Sequence, residues 1–566
     1  MSTSLETILT SYRGRQREAL LPLLWEVQTA FGHIDAGAVQ AISKTLRVPP
    51  TEIYGVISFY ALFHDQPTGR NTVYICTDPS CGLADADGAL NSVCQRLGIQ
   101  PGQTTPDGEY SVFRSPCLGL CDHAPAALIS RRGVGESSYA PIDDIDCLLT
   151  ECEQGRRTQI GGDERPMLAG FREHRAQTLD EYGDYSALRK AVFDLTPDLM
   201  IAEVESSGLI GRGGAAFPTA MKWNLTRQAP AQPHYMVCNA DESEPGTFKD
   251  RVLMESQPHL LLEGMALAAY AVGASKGYLF LRGEYPEAAR HLQTAIEEAE
   301  AAGMLGESIM GSAFSFHIEL RRGAGAYICG EETALFEAIE GKRGFPRVKP
   351  PYPTTHGLFG KPTSVNNVET LCAIPLIVQH GAQWFRHWGT ESSTGTKLVS
   401  ISGHIKRPGV YEIAPGMTLR DFLYKECGGV VGSLQAVLMG GAAGTFLTPD
   451  EIDVPMTFEN LRAIGSTFGS GAIMVFNDAV DLRDVLLRLA RFFQHESCGK
   501  CFPCQLGTQR QLEIVERAYH PLAGDRQRLL DIGLTMTEAS LCGLGQTAAS
   551  AIMSAMKRFP QLFEVR

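Results

Sequence analysis

At residues 208–218 the sequence reads Gly208-Leu-Ile-Gly-Arg-Gly-Gly-Ala-Ala-Phe-Pro218, and this glycine-rich loop decides how the surrounding chain is interpreted. Its glycines let the main chain approach a phosphate closely, and its N–H groups lead into a helix from Pro218. The loop therefore predicts an anion site, with a tight interdomain turn as the alternative. Residues 211–216 match the Gly-x-Gly-x-x-Ala dinucleotide pattern. Because residues 197–207 before them have a helical pattern, an ordinary Rossmann turn is not expected.

The segments around this loop alternate between strand and helix patterns from residue 186 to residue 395. Short β-branched and aromatic runs predict buried strands, and apolar residues at helical spacing predict the helices between them. This alternation is typical of an α/β layer architecture. The predicted strands are Tyr235–Cys238 and Tyr278–Leu281, and the predicted helices are Leu260–Val272 and Glu287–Ala302.

A polar segment follows the first of these strands, Asn239-Ala-Asp-Glu-Ser-Glu-Pro-Gly-Thr-Phe-Lys-Asp-Arg251. Polar side chains at a strand end in an α/β sheet commonly face a ligand crevice, although a polar surface turn gives the same pattern. Two further segments offer polar groups of the same kind. Lys349-Pro-Pro-Tyr352 has a cation and a ring, and Ser364-Val-Asn-Asn367 has two amides.

A second glycine-rich loop, Gly323-Ala-Gly-Ala-Tyr-Ile-Cys-Gly-Glu-Glu-Thr333, also feeds a predicted helix. Glu331 and Glu332 fall at the start of that helix, where the helix dipole favours carboxylates. The functional alternative is that a carboxylate accepts hydrogen bonds from ribose hydroxyls and repels a 2′-phosphate, which favours NAD over NADP.

Near the C-terminus the chain carries Cys498-Gly-Lys-Cys501-Phe-Pro-Cys504 and a distant Cys542. Three thiolates at this spacing can hold one face of a four-iron cubane, and a fourth closes it. Glycines beside the cysteines let N–H groups approach the sulfurs. Four cysteines also suit structural zinc, although zinc ligands usually come as two separate pairs.

Near the N-terminus, Cys76 and Cys81 are followed by the pair Cys117 and Cys121. Cys76 ends a predicted strand, and the second pair lies in a turn-prone loop. Two pairs on two loops can hold a two-iron cluster with two thiolates on each iron. Zinc is the alternative, whereas a redox dithiol is disfavoured because its spacing is normally Cys-x-x-Cys.

The bulk composition excludes other classes of protein. A length of 566 residues predicts two to four domains, and a net charge of −14 argues against a general nucleic-acid binder. We see neither an apolar run long enough for a bilayer nor a secretory signal, so we expect a cytoplasmic protein without membrane insertion. The 15 cysteines are then expected to be reduced. Most of the seven unclustered ones are interpreted as buried small side chains.

Taken together, these segments resemble a known family. Residues from about 186 to 566 are similar to the NADH- and FMN-binding flavoprotein subunit of respiratory complex I, through the 208–223, 239–251 and 323–335 segments and the C-terminal cysteines, in that order. Residues 1–150 resemble the thioredoxin-like two-iron subunit of the same enzyme. The resemblance implies FMN, NAD(H), one [4Fe-4S] cluster and one [2Fe-2S] cluster, and it disfavours zinc at both cysteine sets.

The expected fold is α/β and multidomain. It comprises a helical cap plus a thioredoxin-like [2Fe-2S] domain, a linker, a Rossmann-like FMN/NAD(H)-binding domain, a small β-grasp-like insert and a C-terminal helical bundle with the [4Fe-4S] cluster. The corresponding ranges are 1–150, 151–185, 186–395, 396–475 and 476–566.

The resemblance also implies roles for individual residues. FMN phosphate would lie on the loop 211–214, and Phe217 and Tyr352 would stack on the adenine of NADH. The family usually has a second phenyl ring where this chain has Leu225, which puts the affinity for NADH in doubt. The full set of expected cofactor contacts is Gly211, Arg212, Gly213, Gly214, Phe217, Lys222, Asn239, Asp241, Glu244, Tyr327, Gly330, Glu331, Glu332, Lys349, Tyr352, Asn366 and Asn367. Of these, Asn239, Asp241 and Asn367 are expected flavin contacts, and Lys222 is expected near the flavin ring or ribityl chain. Glu244, Tyr327, Glu331 and Glu332 would surround the nicotinamide–ribose half.

The implied function is an NAD(H):acceptor oxidoreductase, or diaphorase, that passes electrons to or from a partner subunit. Hydride transfer between nicotinamide and flavin needs no acid or base, so no proton-transfer residue is expected. Fusion of the two subunits in one chain resembles the diaphorase subunits of nickel–iron NAD-reducing hydrogenases and of molybdenum or tungsten NAD-dependent formate dehydrogenases. The alternatives are a fused input arm of complex I and, in another class, a zinc-stabilised nucleotide-binding scaffold.

Overall fold

Apolar residues at helical spacing open the chain. The computed structural model, which describes residues 4–150, 157–162 and 165–564, forms four helices from them. These are α1 Leu5–Ser11, α2 Leu20–Phe31, α3 Ala36–Leu46 and α4 Pro50–Ile57. The sequence pattern predicts that the last of them continues to Phe63, and this is wrong. The chain leaves the helix because the N–H groups of Ala61 and Leu62 bond to the carbonyls of Gly325 and Ala324, at 3.0 Å each.

The thioredoxin-like part is a four-stranded sheet with helices. Its elements are β1 Asn71–Cys76, α5 Pro79–Leu83, α6 Ala86–Leu97, β2 Tyr110–Ser115, β3 Ala127–Arg131, β4 Gly135–Tyr139 and α7 Ile145–Thr150. The strand order is β2-β1-β3-β4, and only β1 and β2 are parallel. Because parallel strands end at the same edge of a sheet, the loops after β1 and β2 meet there.

The central part is a parallel sheet covered by helices. The strands in this stretch of the chain are β5 Gln159–Gly161, β6 His234–Ala240, β7 Ala274–Leu281, β8 His317–Arg322 and β9 Thr363–Asn367. Apart from β5, which joins another sheet, they are ordered β8-β7-β6-β9. The helices are α8 Leu179–Tyr182, α9 Ser186–Asp194, α10 Pro197–Ser207, α11 Thr219–Arg227, α12 Lys249–Ser256, α13 Pro258–Val272, α14 Pro286–Ala301, α15 Glu332–Ile339, α16 Pro353–His356, α17 Val368–His380 and α18 Ala382–Phe385.

Helices α13 and α17 form the buried centre of this part. A Cβ atom added at Gly264 of α13 would lie 2.2 Å from the carbonyl oxygen of Leu371 in α17. Glycine at this position therefore sets how closely the two helix backbones approach.

A second, mixed sheet follows in the sequence. It contains β10 Lys397–Gly403, β11 Gly409–Ile413, β12 Leu434–Met439, β13 Thr445–Leu447 and β14 Ala472–Asn477, with helices α19 Leu419–Asp421 and α20 Phe458–Ala463 and a π-helical turn at Phe422–Glu426. The order is β13-β12-β14-β10-β11-β5. Strand β5 comes from the expected linker and pairs with β11. Residues 151–156 and 163–164 of that linker, which include Cys152, lie outside the described residues.

The chain ends in helices α21 Leu482–Glu496, α22 Phe502–Glu516, α23 Asp525–Ala539, α24 Gly543–Thr547 and α25 Ser550–Arg558. Helix α21 buries one apolar face that includes Leu486, Leu489 and Phe493. In the described part of the chain, none of the helices combines the length and apolarity that crossing a bilayer requires.

Candidate functional site

The carboxyl ends of β6 and β9 bring the expected amide groups together. Asn239 and Asn367 are directly paired in the register of these two parallel strands. The Asn239 side chain donates from Nδ2 to the carbonyl of Gly330 at 2.8 Å, which ties the second glycine-rich loop to the same strand end. Gly330 also faces Asp241, because a Cβ atom on Gly330 would lie 3.6 Å from Asp241 Oδ2. Four residues from three sequence segments thus share one crevice.

The first glycine-rich loop lies over this crevice. A Cβ atom added at Gly213 would be 3.0 Å from Cβ of Asn367, and Gly213 and Gly214 are exposed. The loop leads into α11, where the hydroxyl of Thr219 is buried without a hydrogen-bond partner. Exposed glycine N–H groups and an orphaned hydroxyl at a helix start suit a phosphate group. The residues therefore fit the phosphate of FMN.

Acidic groups line the crevice and are partly buried. Burial raises the pKa of Asp241 to about 8 and the pKa of Glu244 to about 7. Glu244 accepts hydrogen bonds from the hydroxyl of Tyr327 and, at 2.6 Å, from the N–H of Ala443. The site therefore joins the central sheet to the mixed sheet through one carboxylate.

At the start of α15 two adjacent glutamates share one cation. Lys349 Nζ lies 2.8 Å from Glu331 and 2.7 Å from Glu332. Glu331 also accepts from the N–H groups of Thr333 and Ala334 and so caps the helix. Glu332 has no such backbone partner among the hydrogen bonds of the described residues, and Lys222 Nζ is 4.0 Å from it. Burial lowers the pKa of Lys222, whose ammonium donates to the carbonyl of Val365.

The remaining residues of the expected cofactor contacts differ in how exposed they are. Phe217 and Tyr352 are 41% and 59% exposed, so both rings are open to a ligand. Leu225, on the same helix as Lys222, is also exposed. Asn366 is buried instead, and its Oδ1 accepts from the indole of Trp223 at 2.9 Å. Its amide therefore fixes α11 against β9.

A buried charge cluster beneath the site was missed by the sequence analysis. Lys249 contacts Asp250 at 2.7 Å and Glu369 at 2.8 Å, and Lys397 contacts Glu369 at 2.7 Å. Asp250 accepts from the amide of Asn367 at 2.6 Å, so the cluster orients an expected flavin contact. A glutamate near the start of the otherwise apolar run Val368–Val378 is the signal that could have revealed it.

The C-terminal cysteines surround a small cavity. Cys498, Cys501, Cys504 and Cys542 line it together with Ile328. Burial raises the pKa of Cys504 to about 12 and the pKa of Cys542 to about 11. A coordinating metal deprotonates a thiol. In the described residues, no three His, Cys, Asp or Glu side chains converge as ligands of a single metal ion do. A cavity between four thiols fits a [4Fe-4S] cluster better than zinc.

The N-terminal cysteines converge where β1 and β2 end. Cys76, Cys81, Cys117 and Cys121 are all buried. Sγ of Cys117 is 3.4 Å from Sγ of Cys121, and the N–H of Gly119 donates to it at 3.4 Å. Hydrogen bonds among the thiols lower the pKa of Cys117 and raise the pKa values of Cys76 and Cys121. Two buried thiol pairs from adjacent loops fit a [2Fe-2S] cluster.

The short segment 326–331 connects the crevice with the C-terminal cysteines. Tyr327 bonds to Glu244 through its hydroxyl and to Glu496 of α21 through its N–H at 2.9 Å. The next residue, Ile328, lines the four-cysteine cavity, and Gly330 contacts Asn239. One loop therefore touches both places.

Four family models match the chain. They are a thioredoxin-like [2Fe-2S] ferredoxin over residues 5–147, the Nuo51 FMN-binding domain over 204–376, an SLBB domain over 397–463 and the NADH-ubiquinone oxidoreductase-F iron-sulfur binding region over 484–566. The matches confirm the expected fold class and the expected cofactors FMN, [2Fe-2S] and [4Fe-4S].

Individual proteins match as well. The NAD-reducing hydrogenase HoxS subunit alpha of Cupriavidus necator is 36% identical over 584 aligned residues, which cover 100% of this chain and 94% of that protein. An NADH-quinone oxidoreductase subunit of Rhizobium meliloti is 44% identical, over 68% of this chain and 93% of that protein. A crystal structure of NAD+-reducing [NiFe]-hydrogenase in the air-oxidised state superposes with a TM-score of 0.86 over 98% of this chain, at 36% identity and 94% coverage of that chain.

Proposed function

The chain belongs to the family of NADH-oxidising flavoproteins that includes HoxS subunit alpha and the Rhizobium NADH-quinone oxidoreductase subunit, and we propose that it is the diaphorase subunit of an NAD-reducing nickel–iron hydrogenase. It is an NAD(H):acceptor oxidoreductase with FMN, one [2Fe-2S] cluster and one [4Fe-4S] cluster. FMN, when bound, takes up the hydride of NADH and releases its electrons singly to iron–sulfur centres.

The observation that carries this proposal is the extent of the match. HoxS subunit alpha aligns with all of this chain, whereas the Rhizobium relative aligns with 68% of it. The two-iron part, the flavin part and the four-iron part therefore occur in one polypeptide in the same way as in the hydrogenase relative. This continuity favours a hydrogenase or formate dehydrogenase partner over a complex I arm. We favour the hydrogenase partner because HoxS subunit alpha and the NAD+-reducing [NiFe]-hydrogenase structure, which both match almost the whole chain, are hydrogenase proteins.

The residues of the chain contribute binding, orientation and exclusion of water. We assign the phosphate of FMN to Gly211, Gly213 and Gly214, and the flavin ring to Asn239 and Asn367. Glu244 is held by Tyr327 and Ala443, so it presents a fixed carboxylate to the nicotinamide side. The exposed rings of Phe217 and Tyr352 are open to the adenine. Precise stacking of two rings is what hydride transfer requires from a protein.

The eight cysteines in the two sets are assigned as iron ligands. Cys498, Cys501, Cys504 and Cys542 would hold a four-iron cluster next to segment 326–331, where such a cluster would supply a one-electron acceptor on the flavin side. The buried pairs at Cys76, Cys81, Cys117 and Cys121 would hold the two-iron cluster. We also propose a cytoplasmic location, since a reducing compartment keeps such thiols available for iron.

Anaerobic purification of the native complex tests the partner assignment. We expect the chain to co-purify with a nickel-containing subunit, and the complex to reduce NAD+ with hydrogen. Nickel analysis and hydrogen-dependent NADH formation are the two measurements. A molybdenum or tungsten subunit with formate-dependent NAD+ reduction, or co-purification with a membrane arm, would contradict the proposal. In either of those cases NADH should still bleach the flavin absorption.

A further inference from the structure

The two-iron cysteine loops are covered by arginines from distant parts of the chain. Arg488 of α21 donates from Nη1 to the carbonyl of Thr77 at 2.7 Å, next to Cys76. Arg251 of α12 donates to the carbonyl of Gly119 at 2.9 Å, and Arg282 donates to the carbonyl of Cys117. Each guanidinium therefore contacts the backbone within two residues of a cysteine.

Two of these arginines form ion pairs with neighbouring carboxylates. Arg282 pairs with Glu284 at 3.0 Å. Arg251 pairs with Glu255 at 3.0 Å and with Asp122 at 3.3 Å. Because carboxylates balance both guanidinium groups locally, neither arginine adds a net positive charge beside the second cysteine pair.

Arg488 has different surroundings. Its only carboxylate partner among the ion pairs of the described residues is Asp87, at 2.6 Å, and Asp87 also pairs with Arg114 at 2.7 Å. Two guanidinium groups thus share one carboxylate and leave a net positive charge. The Arg488 side chain also lies flat on Gly82, where an added Cβ would be 2.4 Å from Nε. It therefore contacts residues next to both cysteines of the first pair.

We propose that the positive charge of Arg488 raises the reduction potential of the two-iron cluster, and that the negative charge of Asp87 opposes this effect. The inference rests on the proposed ligand set Cys76, Cys81, Cys117 and Cys121. Reduction adds one electron, supplied by NADH, and neither forms nor breaks a bond, so the site gains one negative charge. A nearby unbalanced cation stabilises that added charge. Charge and hydrogen bonding around the sulfurs are known determinants of cluster potential.

The test is a redox titration of the intact, cluster-containing protein, followed by electron paramagnetic resonance of the reduced two-iron signal. Arg488→Gln should make the midpoint potential more negative. The ratio of reduced to oxidised cluster at a fixed potential should fall about tenfold, which corresponds to ~59 mV for one electron. Asp87→Asn should shift the midpoint in the opposite direction, because it leaves two cations unbalanced.

A matched control lies one turn further along α21. Arg491 pairs with Glu516 at 3.5 Å and is more exposed, so Arg491→Gln should leave the midpoint unchanged. Opposite shifts in Arg488→Gln and Asp87→Asn are not expected from a purely structural role. If the Arg488→Gln variant does not retain the cluster, the midpoint potential of Asp87→Asn is the deciding measurement, and a positive shift there supports the inference. Unchanged midpoints in the cluster-containing variants would overturn the inference, while a wild type without the two-iron signal would overturn the ligand set together with it.

Discussion

Glu331 and Glu332 are adjacent residues with different tasks. The side chain of Glu331 accepts from two backbone N–H groups at the start of α15, which is the usual work of a helix cap. Glu332 bonds to Lys349 at 2.7 Å and stays partly exposed. The sequence suggested both a dipole role and a ribose role for this pair. Among the hydrogen bonds of the described residues only Glu331 has backbone partners, so we propose the cap role for Glu331 and the ribose role for Glu332.

We therefore expect Glu332→Gln to weaken discrimination against NADPH. Removal of a carboxylate near the 2′ position would reduce repulsion of a phosphate there and raise the ratio of kcat/KM for NADPH over NADH about tenfold, or about 1.4 kcal/mol. Steady-state kinetics with both nucleotides measures this ratio. Glu331→Gln is the control, and it should lower stability by about 1 kcal/mol through the weakened cap while it leaves the ratio unchanged. Equal ratios in wild type and Glu332→Gln would contradict the assignment.

Strand β11 contains a buried carboxylic acid, Glu412. Glu412 accepts from the N–H groups of Met167 and Leu168, both at 3.0 Å, and from the hydroxyl of Thr396. It thereby fastens the segment after β5 to the mixed sheet. Burial raises the pKa of Glu412 from 4.5 to about 7. Between these values the folded state keeps a proton that the unfolded state releases.

The raised pKa of Glu412 makes the free energy of unfolding decrease as the pH rises. The contribution of Glu412 is fully present below its unfolded pKa and is lost as the pH rises through about 7. Glu412→Gln should therefore make the free energy of unfolding fall less steeply between about pH 5 and pH 7. The difference from the wild type over this range should be at most about 3 kcal/mol. Denaturant unfolding at several pH values measures the slope. The same slope in both proteins would show that this carboxyl does not titrate as expected.

Helix α24 begins directly after the isolated cysteine of the C-terminal set. Cys542→Ala should remove the four-iron cluster and leave FMN and the two-iron cluster in place, because one cavity wall loses its ligand. Iron analysis and the spectrum of the NADH-reduced protein provide the readout. Cys427→Ala, at a buried cysteine far from the cluster ligands in sequence, should keep the full iron content. Loss of iron in both variants alike would argue against the specific ligand role.

At the scale of the whole molecule, the sequence predicted the parts better than their contacts. Periodicity predicted α13 and α14 to within two residues of their observed bounds, and cysteine spacing predicted both thiol sets. It could not predict that α4 ends early, because the cause is a pair of hydrogen bonds to Gly325 and Ala324, far away in sequence. The cluster at Lys249, Asp250, Glu369 and Lys397 was missed for the same reason. Its charges are compensated only after the chain has folded.

The helical cap should therefore stabilise the flavin side directly. Trp25 of α2 donates its indole N–H to the carbonyl of Gly323 at 3.1 Å in a buried position. Trp25→Phe would leave that carbonyl without this donor, and we expect a loss of about 1–3 kcal/mol in stability. Affinity for NADH should fall with it, since Gly323 begins the loop to Glu331. Thermal unfolding and NADH titration measure both. Lower stability with unchanged affinity would show that the cap does not act on the loop.

The arginine contacts on the two cysteine loops also bear on the order in which the site is completed during synthesis. The ribosome makes the four N-terminal cysteines early, and domains generally fold as they emerge during translation. The carbonyls of Thr77, Cys117 and Gly119, however, receive Arg488, Arg282 and Arg251, which are synthesised later. We therefore expect the cysteine loops to lack these three contacts until the later segments have been made, with the contact of Arg488 forming last.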